Sequence, residues 1–193
     1  YTYHALARRI AKTVTGPDGA EATTRYGWDG GRLVAEANDK ATTTVVYEPG
    51  SFVPLARFEQ GAQPEEDEAA AAERALRNTA LALLAANDLP IPAGLAPEAP
   101  PVRASLYLTD HLGTPLRLVG SDGHIRWQAK PDDWGAVREA KGAARQPIRF
   151  QGQWADAESG LYYNRYRYYD PEQGRYVTQD PIGLAGGENL YAY

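Results

Sequence analysis

The sequence predicts a mostly β fold built of short hairpins, with one α-helix inserted into it. Turn signals rich in Gly, Pro, Asp and Asn recur through the first sixty residues. The segments between them alternate in polarity or are β-branched, as half-buried strands are. Towards the C-terminus, tyrosines and arginines interleave between glycine-rich turns. Only one alanine-rich segment, residues 64–87, departs from these two patterns.

The N-terminal region is predicted to be a meander of hairpins. Residues 8–14 and 41–47 have strand patterns, and Asp, Asn, Gly and Pro mark the turns around them. A unit of strand, Asp-Gly or Gly-Gly turn and strand occurs at residues 25–36 and again at residues 116–128. Repeated units of this kind stack so that each buries one face against its neighbours.

Residues 64–87 are predicted to form the inserted helix. A proline and a run of acids open the segment, and Ala, Leu and Arg follow, which is typical of a helix N-terminus and body. The residues near one helix face are Leu76, Ala80, Leu83, Leu84 and Asn87. Residues 89–101 contain five prolines and indicate an extended connector. We expect residues 61–102 to be an insertion looped out of the sheet rather than a second domain, although they could equally contact a partner.

The tyrosine-rich run at residues 161–169 is predicted to be a single strand. Period-two alternation places Tyr163, Arg167 and Tyr169 on one face and Tyr162 and Tyr168 on the other, so both faces are aromatic. Residues 170–174 supply a turn, and residues 175–177 are expected to return antiparallel as a hairpin. A second turn is expected at residues 180–183.

Most kinds of chemical site are excluded by composition and spacing. Without cysteine there is no disulfide, cysteine metal site or thiol nucleophile. His4, His111 and His124 lie far apart without metal-ligand spacing, so we expect structural roles and no metal or cofactor. Asp132 and Asp133 are adjacent and would point to opposite faces of a strand, so a solvated turn is the better interpretation.

Charge and hydropathy restrict the partners. Tyrosines and arginines can stack on single-stranded nucleic acid, but neighbouring acids cancel the charge that such binding needs, so no nucleic-acid partner is expected. No apolar run approaches 18 residues and no signal peptide opens the chain, so no membrane span is expected in this segment. The chain has no Met, and residues 1–3 and 191–193 have strand patterns. We therefore expect both ends to be internal to a longer polypeptide.

The sequence of residues 160–193 resembles the core of the Rhs (YD-repeat) family of polymorphic toxins, which is related to the C component of insecticidal Tc toxins. It reads GLYYNRYRYYDPEQGRYVTQDPIGLAGGENLYAY. Residues 107–115 and 149–153 extend the resemblance in the family's order. The resemblance implies three regions: degenerate YD repeats at 1–60, the insertion at 61–102, and the Rhs-repeat-associated core at 103–193. The first repeat, around residues 3–8, departs from the family pattern, so its residues are assigned no roles.

The resemblance implies that this chain is part of a protein container. Rhs cores coil their repeats into a large hollow β-shell that encapsulates a C-terminal toxin domain until delivery, often by type VI secretion. The implied protein is a secreted or exported bacterial effector. Its implied partners are its own toxin domain, the remaining shell segments, and the secretion-system tip and chaperone proteins.

The resemblance also implies self-cleavage. The family's core ends with two Asp-Pro-x-Gly motifs whose aspartates act as an aspartyl-protease-like pair, and the chain is cut just after the second motif. Asp180 opens the match to the first motif, and its partner aspartate is expected beyond Tyr193. The activity would be single-turnover and incomplete in this chain. Arg175 is a candidate supporting cation, although it could instead pair with Asp170, and Asp180 could simply start a tight turn.

Two other classes of function stay open. A cell-surface carbohydrate-binding or adhesion module could stack sugar rings on Trp28, Trp127, Trp134 and Trp154. A stand-alone hydrolase could use Asp180 on an external substrate, but no nucleophile, base or cofactor loop accompanies it.

Overall fold

The architecture is mostly β, in a computed structural model that describes residues 1–61, 68–87, 89, 90, 92 and 102–192. Ten antiparallel strands form the main sheet, and each pairs with the next along the chain. They are β1 (Thr2–Tyr3), β2 (Arg9–Thr15), β3 (Glu21–Asp29), β4 (Arg32–Ala37), β5 (Thr42–Tyr47), β6 (Pro54–Gln60), β7 (Val102–Thr109), β8 (Pro115–Gly120), β9 (Ile125–Ala129) and β10 (Ala140–Lys141).

A second, four-stranded sheet contains the tyrosine-rich run, and we call it the C-terminal sheet. Its strands also follow sequence order: β11 (Trp154–Ala155), β12 (Tyr162–Asn164), β13 (Arg167–Asp170) and β14 (Arg175–Tyr176). The predicted hairpins at residues 25–36 and 116–128 are both confirmed, as β3–β4 and β8–β9. Gly30 and Gly123 adopt φ values of 56° and 81° in their turns, a conformation that glycine reaches without steric cost.

The inserted helix is confirmed as α1 (Glu68–Ala86), and residues 64–67 of its predicted span lie outside the described residues. Strands β6 and β7, which precede and follow the helix in sequence, pair directly in the sheet, from Ala56 opposite Leu106 to Gln60 opposite Val102. The helix is therefore inserted into the connection between two adjacent strands. Leu76 and Leu83 are exposed on its surface. The division of the chain into three regions stays a prediction.

The core lies on one face of the main sheet, under residues 142–156, which we call the cover segment. Strands β3, β4, β5, β7, β8 and β9 bury aromatic and aliphatic side chains there, and Ile148 and Trp154 of the cover segment pack against them. Polar contacts cross the same interface: Arg145 pairs with Glu36 of β4, and Arg57 of β6 donates to the Arg145 carbonyl. The cover segment therefore runs across the sheet from β6 towards β2.

The opposite face of the main sheet keeps apolar side chains in solvent. Cross-strand pairing aligns Val46, Ala56, Leu106, Val119 and Ile125 across five strands. Leu106 is 62% exposed and Ile125 is 49% exposed. The alternation of buried and exposed positions is that of a sheet with one covered face.

A buried ion pair fastens the end of the cover segment to β2. The Arg9 and Asp156 side chains are both 0% exposed. Arg9 bonds both carboxylate oxygens of Asp156, one of them at 3.0 Å from Nη2. The Lys12 Nζ lies 2.9 Å from Asp156 and 3.0 Å from Glu158. We call Arg9, Lys12 and Asp156 the ionic latch.

Aromatic rings complete the surroundings of Arg9. Its guanidinium lies 4.2 Å from the ring centre of Tyr163, 4.6 Å from that of Tyr26 and 5.3 Å from that of Tyr1. Burial is the largest single effect and lowers the pKa of Arg9, but the hydrogen bonds and the charge of Asp156, together with Tyr26 and Tyr168, raise the pKa overall. The guanidinium is thus held charged by one carboxylate and three ring faces.

Removal of the Asp156 carboxylate is predicted to detach the C-terminal sheet. The Asp156→Ala change leaves the buried Arg9 without its counter-ion and Lys12 with Glu158 alone, and breaking a buried ion pair typically costs about 3–5 kcal/mol. Hydrogen–deuterium exchange should then accelerate at residues 162–176. The matched control is Glu172→Ala, which removes a partner from the exposed Arg138 and should leave exchange there unchanged. Equal exchange in both variants would contradict the role of the latch.

Buried tyrosines predict a loss of stability at alkaline pH. Burial raises the pKa of Tyr26, Tyr47 and Tyr107 above the ordinary value near 10. Because the folded pKa exceeds the unfolded one, the stabilisation is complete below pH 10 or so and is lost as pH rises towards the raised values. Near-ultraviolet circular dichroism against pH should show this loss. Ordinary titration of every phenol near pH 10, with the fold intact, would contradict the prediction.

Candidate functional site: the Asp180 loop

The tyrosine-rich run forms a hairpin, so its prediction as a single strand is wrong. Strands β12 and β13 pair with Tyr162 opposite Tyr169 and Tyr163 opposite Tyr168, and Arg165 and Tyr166 form the connecting loop. Arg165 has a φ of 51°, a left-handed conformation that costs a non-glycine residue about 1–2 kcal/mol. Local turn signals are absent here, so the cross-strand tyrosine contacts override the local preference.

Both faces of this hairpin are aromatic, as predicted, but the hairpin changes which residues share a face. Tyr163 and Tyr168 lie together with ring centres 5.5 Å apart, and the ring of Trp28 from β3 meets Tyr163 edge-on. Tyr162 and Tyr169 form the other face, where the next strand adds Tyr176 at 5.6 Å from Tyr169. Tyr163 also accepts a hydrogen bond from the Arg9 amide at 2.9 Å. The hairpin is therefore seated against the ionic latch.

The next hairpin is confirmed and leads into the candidate site. Tyr169 pairs with Tyr176 and Asp170 with Arg175. Residues 177–192, which we call the Asp180 loop, then fold back on the strand: the Tyr176 amide donates to the Tyr191 carbonyl at 2.9 Å, and the Asp180 amide donates to that of Leu190 at 2.8 Å. Tyr191 lies in a turn, so the strand expected at residues 191–192 is wrong, and Tyr193 is outside the described residues.

The Asp180 carboxylate is held at two points. Its Oδ1 accepts a hydrogen bond from the Ile182 amide at 3.0 Å, which forms the predicted turn. Its Oδ2 lies 3.1 Å from Nη2 of Arg167, and the two side chains are only 19% and 16% exposed. One backbone hydrogen bond and one ion pair with a largely buried arginine therefore hold the carboxylate.

Arg167 joins the Asp180 loop to the C-terminal sheet. Its guanidinium lies 3.6 Å from the ring centre of Tyr176, and its Nη1 lies 3.5 Å from the carbonyl oxygens of both Leu190 and Ala192. Asn164 donates to the Tyr176 hydroxyl at 2.7 Å, which holds that ring in place. One arginine thus contacts the beginning and the end of the loop.

Arg175, the cation named from the sequence, has different neighbours. Its guanidinium donates to the Gln173 amide oxygen at 2.8 and 3.0 Å, and Gln173 in turn donates to Asp170 at 2.7 Å. The alternative pairing of Arg175 with Asp170 is therefore indirect. Sequence reasoning missed Arg167 because it assigned that residue to a continuous strand. If a hairpin had been predicted within residues 161–169, Arg167 would have been placed at the start of its second strand, the strand that leads into the Asp170 turn.

A cleft of about 510 Å³ opens beside Asp180, which lies within the usual range of ligand pockets, about 300–1,000 Å³. Its lining combines polar side chains of the β12–β13 hairpin with apolar side chains of the Asp180 loop. The lining residues are Asn164, Arg165, Tyr166, Arg167, Tyr176, Asp180, Pro181 and Ile182.

The remaining sequence candidates lie in turns or on the surface. The His4 ring accepts the Leu6 amide at 2.8 Å, His111 and His124 are exposed, and Asp132 caps a turn by accepting the Trp134 amide. Among the described residues, no three His, Asp or Glu side chains form a group that could hold a metal. In the same part of the chain, no helix is both long and apolar enough to cross a membrane.

The tryptophans give little support to a sugar-binding surface. Trp127 and Trp154 are buried, and Trp28 is partly buried and donates its indole N–H to the Arg9 carbonyl at 2.9 Å. Trp134 alone of the four is largely exposed, and it packs on Gly174. The four rings therefore do not form a common stacking platform.

Loss of the Arg167 guanidinium is predicted to free the Asp180 loop. In Arg167→Ala, hydrogen–deuterium exchange should rise at the Tyr176 and Asp180 amides, whose acceptors lie beside the guanidinium. Arg167→Lys should not restore protection, because an ammonium cannot span the separate acceptors as a planar guanidinium does. Arg138→Ala is the control, because Arg138 is 63% exposed and pairs with Asp132 and Glu172, so its loss should leave both amides protected. Slow exchange in all three variants would show that the loop holds without Arg167.

Comparison with known proteins identifies the family. Residues 105–141 match the family model described as RHS protein. The whole chain is 52% identical to Toxin protein Tse5 of Pseudomonas aeruginosa, where it covers 14% of that protein. It is 35% identical, again over its whole length, to Double-stranded DNA deaminase toxin A of Burkholderia cenocepacia, where it covers 13%. The chain thus spans a small part of the length of these relatives.

Solved structures agree on the fold. The chain aligns with the crystal structure of TcdB2-TccC3 without its hypervariable C-terminal region, with a TM-score of 0.63 and 19% identity, over 98% of this chain and 8% of that one. The resemblance expected from the tyrosine-rich and Asp-Pro-Ile-Gly motifs is confirmed. The chain belongs to the Rhs-repeat family, as a segment of an Rhs-repeat core.

Proposed function

We propose that this chain forms part of an Rhs shell that encapsulates a C-terminal toxin domain, and that Asp180 is one of two aspartates that cut the toxin from the core inside the shell. The observation that carries the proposal is the arrangement at Asp180. A carboxylate in an Asp-Pro-x-Gly turn is fixed by an arginine and faces a cleft large enough for a segment of polypeptide.

The relatives support a carrier role for this region. The chain matches its whole length in a protein named as a DNA deaminase toxin and in another named only as a toxin. It also aligns almost entirely within a structure that lacks the hypervariable C-terminal region. A segment that is shared by both toxins and covers about one seventh of each supports a carrier role better than a part in either activity.

The main sheet has features suited to a wall. Its strands follow one another without crossovers, so a longer sheet can be made by adding hairpins at either edge. The cover segment lies on one face, while the other bears exposed apolar side chains on four strands, namely Val46, Phe58, Leu106 and Ile125. Apolar patches of this kind generally contact other protein. The proposed contacts are the remaining shell segments and the enclosed toxin domain.

The proposed chemistry needs two carboxyl groups close together. Two such groups cannot both ionise easily, so one retains its proton. The ionised group removes a proton from water, the water oxygen attacks the carbonyl carbon of the scissile bond, and the protonated group gives its proton to the departing nitrogen. The Leu190 and Ala192 carbonyls contact the same guanidinium as Asp180, so a chain that continues from Ala192 starts beside the proposed catalytic group. Arg167 would position Asp180, and Arg175 stays a candidate supporting cation.

Delivery and partners follow from the same proposal. A toxin that is enclosed and then released fits an exported bacterial effector, delivered by type VI secretion or a similar route. Secretion-system tip and chaperone proteins would then be further partners.

Asp180→Asn is predicted to abolish self-cleavage of the parent polypeptide. The asparagine side chain should preserve the turn, because its oxygen can still accept a hydrogen bond from the Ile182 backbone N–H. It cannot, however, exchange a proton with water or substrate as a carboxyl group does. Intact mass after denaturing separation should show two pieces for the wild type and one for the variant.

Asp170→Asn is the matched control for this test. Asp170 also precedes a proline and accepts the Glu172 amide at 2.9 Å, but it has no direct arginine partner among the described residues. Its variant should be cut like the wild type. If the parent is never cut, or if Asp180→Asn is cut normally, the proposed catalytic role is lost and Asp180 is only a turn residue.

A further inference from the structure

The cleft beside Asp180 has an exposed apolar rim that the proposed proton transfers do not use. Tyr166 is 57% exposed and Ile182 is 63% exposed, yet both line the same cleft. They come from two separate loops, the β12–β13 connection and the Asp180 loop. Exposed apolar side chains that share a concave surface indicate a binding site rather than scattered surface residues.

Tyr166 is held in place despite its exposure. The Arg165 guanidinium lies 4.6 Å from the Tyr166 ring centre. Behind it, Arg165 approaches the main sheet, where a Cβ added at Gly31 would lie 3.6 Å from its Nη1. Arg165 also adopts the left-handed backbone conformation described above. A strained backbone residue near a functional cleft is often maintained because it aims a side chain, and here that side chain is Tyr166.

Ile182 is held by the same turn that fixes the carboxylate. Its amide donates to Asp180, and its Cδ1 would lie 3.3 Å from a Cβ added at Gly186. The apolar wall and the carboxylate are thus two residues apart on one rigid turn. Asn164, Arg167 and the Tyr176 hydroxyl contribute polar groups to the same lining.

We infer that this cleft binds the scissile segment of the parent polypeptide, and that Tyr166 and Ile182 form the subsite for an apolar side chain next to the bond that is cut. The inference rests on the proposed self-cleavage and adds its specificity. An extended peptide offers backbone groups to the polar lining and an apolar side chain to the rim. The ligand is therefore a peptide segment with an apolar residue beside Asp180, and a charged residue at that position would be left without a partner.

The test is a time course of self-cleavage during cell-free synthesis of the parent polypeptide. Tyr166→Ala and Ile182→Ala should each slow cleavage by roughly tenfold or more, since a lost apolar contact in a specificity pocket has effects of that size. Tyr166→Phe should cleave near the wild-type rate, because the ring and not the hydroxyl makes the contact. Leu6→Ala is the control, since Leu6 is 60% exposed but lies in the turn between β1 and β2, outside the cleft lining.

A double-mutant cycle separates binding from a general effect on folding. N-terminal sequencing of the released piece locates the cut, and the apolar residue beside it is replaced by Asp. This change should strongly slow self-cleavage of the otherwise wild-type polypeptide. It should cause little further slowing in a polypeptide that already carries Tyr166→Ala, because the two residues act through one contact. Fully additive effects would overturn the subsite.

The outcomes also distinguish the two proposals. If Asp180→Asn blocks cleavage while Tyr166→Ala and Ile182→Ala cleave at the wild-type rate, the subsite is wrong and the catalytic role stands. If Asp180→Asn is cut normally, the catalytic role fails, whatever the rim variants do.

Discussion

The buried pairing of Arg9 with Asp156 holds β2, the cover segment and the C-terminal sheet together. It joins residues 147 positions apart and places a full positive charge beneath the C-terminal sheet. Burying such a charge without a partner is costly in free energy. The buried Arg9 therefore requires the Asp156 carboxylate, and the three tyrosine rings and Lys12 pack around this pair. Because Asp156 ends the cover segment, the same pairing aligns that segment on the main sheet.

A continuous set of contacts leads from the latch to the candidate site. The Tyr163 ring stacks on the Arg9 guanidinium, and the Tyr163 hydroxyl accepts a hydrogen bond from the Arg9 backbone amide. Tyr163 lies on β12, which pairs with β13, the strand that begins at Arg167. Arg167 stacks on Tyr176 and pairs with Asp180. Rigid side chains support each step, which suits a reaction that needs a carboxylate in one orientation relative to a peptide bond. The tyrosines, the most distinctive feature of the sequence, therefore hold the candidate site in place.

Local signals predicted much of this fold, and long-range contacts account for what they missed. The Asp-Gly and Asp-Pro turns, the β3–β4 and β8–β9 hairpins and the alanine-rich helix each depend on a few neighbouring residues. The tyrosine hairpin was missed because Arg165 forms its turn without glycine or proline, under the influence of cross-strand pairing. Arg9 and Arg167 were missed for a related reason: one looks like an ordinary strand residue in a degenerate repeat, and the other like one arginine among several. Their partners, Asp156 and Asp180, are identified only when the sheets are assembled.

The most direct measurement is a high-resolution structure of the uncut parent polypeptide carrying Asp180→Asn. We expect a second aspartate within hydrogen-bond distance of residue 180, the scissile segment in the cleft beside Tyr166 and Ile182, and an enclosed space containing the toxin domain beyond the cleft. A cleft that opens to the outer surface, with no polypeptide in it and no second carboxyl group near residue 180, would show that Asp180 does not take part in self-cleavage inside a shell.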